Sequence, residues 1–131
     1  PDQWCHGSAG IGLSRLGIAD YDDSQQIQLG IRRAVDSHAE PELAVTDNLC
    51  CGTAGQVEFC LEAAARGEGA DGVARELVGG MLRRREQTGG YSLVPETVAV
   101  TEPTMFHGLS GIGYSMLRVV DPTLPSPLLL D

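Results

Sequence analysis

The sequence predicts an all-α fold of repeated helix pairs, and three observations lead there. One frame recurs three times: Trp4-Cys5-His6-Gly7-Ser8-Ala9-Gly10, Leu49-Cys50-Cys51-Gly52-Thr53-Ala54-Gly55 and Met105-Phe106-His107-Gly108-Leu109-Ser110-Gly111. Aligned on its first glycine, the frame reads x-x-Gly-x-[Ala/Ser]-Gly after an extended run. Each frame opens a Gly-rich apolar stretch, and amphipathic stretches with apolar residues three and four apart lie between them, which is the helical period. The chain has 131 residues with 42% hydrophobic content, enough for the core of one ordinary domain. Repeat units bury their faces against neighbours, so the Gly-rich helices should form the inner layer of a curved α/α array and the amphipathic ones the outer. The three frames should then converge at one end.

Taken in order, residues 1–7 read as an extended run into a helix from about Ser8 to Leu16, with Ser8 as its cap. Gly10 and Gly12 cost that helix roughly 1 kcal/mol each against alanine, which implies a close neighbour that needs them. Asp20–Ser24 is polar and suits a loop and a helix start. Ile27, Ile31, Ala34 and Val35 then mark an amphipathic helix to about His38, ended by Pro41. His38 reads as a helix-end cation or surface residue. After the second frame, a helix from Thr53 to about Arg66 carries Val57, Cys60, Leu61 and Ala64 on one face, making Cys60 a core thiol. Gly67-Glu68-Gly69 is a break. Val73, Leu77, Met81 and Leu82 mark another amphipathic helix to about Gln87. The stretch from Gly89 to Phe106 contains Pro95 and Pro103, with Val98 and Val100 in a short strand or an extended loop. A last helix runs from about Leu109 to Val120. Pro122, Pro125 and Pro127 then punctuate a tail expected to pack back on the body.

The formal charge is −9, from 18 acidic and 9 basic residues, which argues against nucleic acid as the main partner. Five of the nine basic residues fall between Arg66 and Arg85, and the Arg83-Arg84-Arg85 run is read as solvated. No stretch approaches the roughly 18 apolar residues of a membrane span. Four cysteines do not make a disulfide scaffold, so reduced thiols in a cytoplasmic enzyme are expected. The chain opens Pro1-Asp2-Gln3-Trp4 without Met and enters a motif at once. We read it as a fragment lacking its N-terminal part rather than as a processed product.

Cys5, Cys50 and Cys51 each stand just before a predicted helix, where unpaired N–H groups and the helix dipole lower a thiol pKa. Three thiolates from two such turns supply three of the four tetrahedral positions of zinc and leave one open, as a catalytic site requires. The C-x2-4-C spacing of a structural zinc site is absent. On the residues alone, a strained Cys50–Cys51 disulfide and three core thiols stay open as alternatives. His6 and His107 share a column with Cys51. Adjacent side chains rarely both reach one metal, so His6 is assigned to the substrate side of the site or beside its ligands. His107 follows Phe106 rather than a cysteine, and its repeat is expected to have lost any ligand role. The order Gly-x-x-Gly-x-Gly, with no strand–helix–strand unit around it, is not a dinucleotide fingerprint.

Together, Trp4-Cys5-His6-Gly7 with Gly10-Ile11-Gly12, Asn48-Leu49-Cys50-Cys51-Gly52, Gly108-Leu109-Ser110-Gly111-Ile112-Gly113-Tyr114 and the Pro-rich Leu-Leu-Leu end resemble the lanthipeptide synthetase cyclase (LanC-like) family. The nearest likeness is to the C-terminal cyclase domain of class II (LanM-type) bifunctional synthetases, and it covers essentially the whole chain. The resemblance implies the C-terminal portion of an α/α toroid, with residues 1–131 a fragment of one cyclase domain. It implies zinc held by Cys5, Cys50 and Cys51, where most members have His at the third position and a subgroup has Cys-Cys-Gly. It also implies addition of a peptide cysteine thiol to dehydrated Ser or Thr, giving a thioether ring. The partners implied are a dehydrated, Cys-containing precursor peptide and an upstream dehydratase domain of the same chain. The family's Asp and His acid/base residues come from upstream helices, and no motif here matches them, so this segment alone is expected to be inactive. The competing readings are a non-catalytic α/α repeat module with structural zinc and a redox-active thiol pair.

Overall fold

The computed structural model describes residues 2–94 and 102–129 and contains five helices. They are α1 (Ser8–Ile18), α2 (Gln25–Ser37), α3 (Thr53–Ala65), α4 (Val73–Thr88) and α5 (Leu109–Val120). Helix α1 packs against α3, and α3 against α5; α2 covers α1, while α4 covers α3 and reaches α5. The Gly-rich helices thus form one layer and the amphipathic helices a second, which is the all-α arrangement expected of an α/α toroid segment. Val98 and Val100 lie outside the described residues.

Helix α3 is the central element, and every residue from Thr53 to Cys60 is buried. Around it Leu13, Leu16, Ile27, Ile31, Phe59, Leu77 and Met81 form the main core. Leu49, Ala54, Leu93 and Ile112 form a smaller cluster where α3 meets α5. Small residues set how closely the layers approach. A Cβ on Gly12 would sit 2.3 Å from the Phe59 ring and 2.8 Å from the Ala34 Cβ. The neighbour that needs Gly12 is therefore an aromatic side chain. Gly80 similarly admits Leu43 from the α2–α3 connection. Helix α4 stops at Gly89, whose φ of 83° places it in the left-handed region that glycine adopts without steric cost.

Three sequence expectations change. Ser8 makes no cap hydrogen bond; its hydroxyl donates to Asp2 at 2.7 Å. His38 does follow α2, but the α2–α3 connection folds over it and leaves it 4% exposed, tilted against the Phe59 ring at 5.0 Å. Arg83 and Arg85 are exposed as expected, whereas Arg84 turns inward to Asp47 at 3.1 Å and to the Ala44 carbonyl at 2.8 Å. Arg118 is buried on α5, where it pairs with Glu58 and with Glu62 of α3.

That last cluster fastens the tail. Arg118 donates to the Leu124 carbonyl at 2.9 Å, Ser126 donates to Glu58, and the Tyr114 hydroxyl donates to the Pro125 carbonyl. Leu128 and Leu129 then pack on the main core. Burial pushes the Glu58 carboxyl above its usual range against the pull of Arg118. The pair consequently holds the tail at a desolvation cost.

Candidate metal centre

The three frames fold alike. Residues 4–6, 49–51 and 105–107 form turns ahead of α1, α3 and α5. Gly7, Gly52 and Gly108 precede these helices with φ/ψ of −149°/−169°, −125°/−171° and −118°/−167°. Steric room explains the repeated glycines. A Cβ on Gly52 would lie 2.6 Å from the Thr46 carbonyl oxygen, and one on Gly108 would lie 2.2 Å from that of Glu102. Three residues further on, Gly10, Gly55 and Gly111 would press on the carbonyls of Trp4, Leu49 and Met105 at 1.9, 2.5 and 2.0 Å. Each turn therefore lies directly on the first turn of its own helix, and only glycine fits there.

A row of backbone hydrogen bonds joins the turns. The Cys5 N–H donates to the Cys50 carbonyl at 3.3 Å, and the Cys50 N–H donates to the Phe106 carbonyl at 2.9 Å. Residues of one column thus meet across all three repeats. Cys5 Sγ lies 3.2 Å from Cys51 Sγ across 46 positions of sequence, and Cys51 Sγ lies 3.4 Å from Cys50 Sγ. All three sulfurs fall within 4.8 Å of one another. Tetrahedral zinc with Zn–S bonds of about 2.3 Å holds its sulfurs about 3.8 Å apart, so the donor set fits such an ion after a small outward rotation. Among the described residues no fourth His, Cys, Asp or Glu joins this group.

For Cys50 and Cys51 the electrostatics run opposite to what helix position predicts. Burial pushes the Cys50 thiol up to about 12, aided by hydrogen bonds and like charge from Cys51 and Cys5. Burial and contact with Cys5 push the Cys51 thiol up as well. For Cys50 and Cys51 the lowering expected at a helix start is overridden first by burial and then by the neighbouring sulfurs. A bound cation reverses that balance, since it makes the thiolates the favoured form.

Cys5 is exposed and Cys50 and Cys51 are half-buried, so the group is open to solvent on one side. His6 is exposed, and its Nδ1 lies 3.0 Å from Cys5 Sγ, outside the tight group of three. His107 is exposed in the turn that has Phe106 in the thiol column. Cys60 is fully buried, and burial pushes its thiol up to about 12, as a core thiol requires.

Several supporting residues escape a reading of the thiols alone. Asn48, 3% exposed, accepts the Cys51 N–H at 2.8 Å and donates to the Leu93 carbonyl at 2.8 Å, fixing the second turn. Asp47 binds both the N–H of Ser92 and Arg84. The Asp47-Asn48 pair is the available signal, because such side chains close turns on N–H groups a few residues on. Phe106, with no ligand atom, stacks on Trp4 at 5.6 Å and 20° and forms an aromatic wall beside the sulfurs.

Three thiols gathered at the convergent starts of one helical layer form a group that could hold a metal ion in an α/α repeat protein. The family model for lanthionine synthetase C-like proteins matches residues 1–129, and the chain belongs to that family. No curated protein and no solved structure matches the chain.

Proposed function

We propose that the protein is a zinc-dependent lanthionine cyclase of the LanM type, with the Cys-Cys-Gly form of the metal centre. It adds a cysteine thiol of a precursor peptide across the double bond of a dehydrated Ser or Thr. The carbon–sulfur bond forms at the β-carbon, the α-carbon takes up a proton, and nothing is lost. The observation that carries this reading is the convergence of Cys5, Cys50 and Cys51 within 4.8 Å in a chain of this family.

Cys5, Cys50 and Cys51 hold the zinc, which when bound lowers the pKa of the incoming peptide thiol and keeps it as thiolate. The three cysteines would leave a coordination position for that thiol, and among the described residues no fourth protein donor enters the group. Three thiolates leave a net negative charge where two thiolates and a histidine would leave none, which favours a loosely held and more nucleophilic substrate sulfur. His6, at 3.0 Å from Cys5 Sγ, orients that ligand and stands on the exposed side where a proton can be exchanged. The Trp4–Phe106 stack gives the peptide an apolar wall to lie against. The proposal extends to a dehydratase domain upstream in the same chain and to a cytoplasmic setting, supported by four unpaired thiols. No helix among the described residues is long and apolar enough to cross a membrane.

Metal stoichiometry followed by thiol exchange tests this reading. One zinc per chain, with its open position taken by a peptide thiol on titration, is the expected result. Metal that stays four-coordinate to protein and ignores added thiol would make the site structural. Absence of metal together with two missing titratable thiols would make it a redox pair.

A further inference from the structure

Cys51 stands between two other sulfurs, and the backbone around it favours one of the two as a bonding partner. Its Sγ lies 3.2 Å from Cys5 Sγ and 3.4 Å from Cys50 Sγ. A Cys50–Cys51 bond would close a small ring through the peptide that joins the two residues, and closing it demands that this peptide turn or twist. Both polar atoms of that peptide are held. The Cys50 carbonyl accepts the Cys5 N–H at 3.3 Å, and the Cys51 N–H donates to Asn48 Oδ1 at 2.8 Å. Asn48 is buried and is itself anchored to the Leu93 carbonyl at 2.8 Å. Turning the peptide would therefore break bonds on both sides and strip a buried side-chain oxygen of its donor, which is costly.

A Cys5–Cys51 bond asks for none of this. The two residues lie on separate turns and share no peptide. Those turns are already seated together by the Cys5–Cys50 backbone bond and by Trp4, whose Cβ lies 3.2 Å from where a Cβ on Gly55 would stand. The sulfurs must approach by about 1.2 Å to reach a bond length of about 2.04 Å, a movement within the range of side-chain rotation. Cys5 is the exposed member of the group and meets a dissolved oxidant first, whereas Cys60 is fully buried and lies outside the group.

We propose that Cys5 and Cys51 form a reversible oxidation site, at which hydrogen peroxide closes a disulfide between the turns before α1 and α3 and leaves Cys50 reduced. The Cys5 sulfur attacks one peroxide oxygen, the O–O bond breaks, and one water leaves a sulfenic acid on Cys5. The Cys51 sulfur then attacks the Cys5 sulfur, the S–O bond breaks, and a second water leaves. Two thiols thus lose two electrons while one peroxide becomes two waters. A dithiol reductant restores both thiols by exchange and is itself oxidised to a disulfide. Because the bond consumes two of the three sulfurs, it closes the group to a metal. The pairing rests on the sulfur and backbone geometry and goes beyond the cyclase reading; neither metal nor cyclisation enters its test, so the two stand or fall separately. The full chain is freed of metal with a chelator, checked for helix content by circular dichroism and treated with equimolar hydrogen peroxide. Remaining thiols are alkylated, and an unreduced digest is mapped by tandem mass spectrometry. The expected product joins Cys5 to Cys51 with Cys50 and Cys60 alkylated, and dithiothreitol returns it to four free thiols. Cys50→Ser should still form the bond. In urea the same bond should form about tenfold less readily, because the long intervening loop must then be closed against chain entropy. A main product joining Cys50 to Cys51 or to Cys5, no disulfide in the folded protein, loss of the bond in Cys50→Ser of normal helix content, or an equal yield in urea would overturn the proposal.

Discussion

Gly10→Ala is the most direct test of how the thiol centre is built. The added Cβ would stand 1.9 Å from the Trp4 carbonyl oxygen, and 3.0 Å is the closest approach such atoms make. The carbonyl must therefore retreat by at least 1.1 Å. The obstructing atom is backbone, so no rotamer change relieves the clash, and the next residue along is Cys5, a proposed ligand. Metal sites tolerate displacements of about 0.2 Å, so zinc affinity should fall by about 100-fold or more, with about 1–3 kcal/mol of overpacking cost to the fold. The control is Gly113→Ala in α5, where the new methyl meets nothing within 4 Å and relieves a helix-interior glycine. It should raise stability by about 1 kcal/mol and leave zinc binding unchanged. Competition against a chromophoric chelator measures affinity, and thermal unfolding measures stability. Gly10→Ala protein with wild-type zinc affinity would refute the idea that the turn is clamped on its own helix.

Three further outcomes are expected. Cys51→His, compared in intact enzyme at equal zinc loading, should slow cyclisation several-fold by removing one negative charge at the metal; an unchanged or faster rate would count against that argument. In metal-free protein the folded Cys60 thiol keeps its proton up to about 12 while the unfolded thiol loses it near 9.0. The unfolded state then binds fewer protons, so stability falls as pH rises between those values by about 1 kcal/mol per unit, and parallel denaturant midpoints for wild type and Cys60→Ala from pH 9 to 11 would contradict this. Arg118→Leu leaves Glu58 buried without its main partner and should cost about 3–5 kcal/mol in urea unfolding, most of it regained when Glu58→Leu is added; a loss below about 1 kcal/mol in the single variant would show that the pair is not what fastens the tail.

Much of this architecture was legible in the sequence because period and repetition are local signals. Ile27, Ile31 and Ala34, or Val73, Leu77 and Met81, mark their helices by spacing alone, and the observed ends lie within two residues of those expected. The thiol cluster was legible for a less local reason, since the repeated frame puts Cys5 and Cys50 in one column and like columns meet. The pairing of charges was not. Nothing in the amphipathic pattern of α3 shows that Glu58 faces inward to Arg118, because the partner lies 60 positions away. His38 misleads in the same way: its place at a helix end is local, while its burial depends on a connection folding over it. The raised pKa values of Cys50 and Cys51 follow this rule too, for helix position is visible in sequence and the burial and crowding of these sulfurs are not.

The backbone row from Cys5 through Cys50 to Phe106 bears on how the molecule comes apart. Arrays of helix pairs hold together by nearest-neighbour contacts, and their end units fray independently. Here the metal would rivet the first unit to the second, while the hydrogen-bond row and the Trp4–Phe106 stack carry that restraint to the third. Loading the site should therefore turn gradual loss of the outer units into one concerted transition. A metal held there would serve the cooperativity of the helical layer as well as the proposed chemistry at its end.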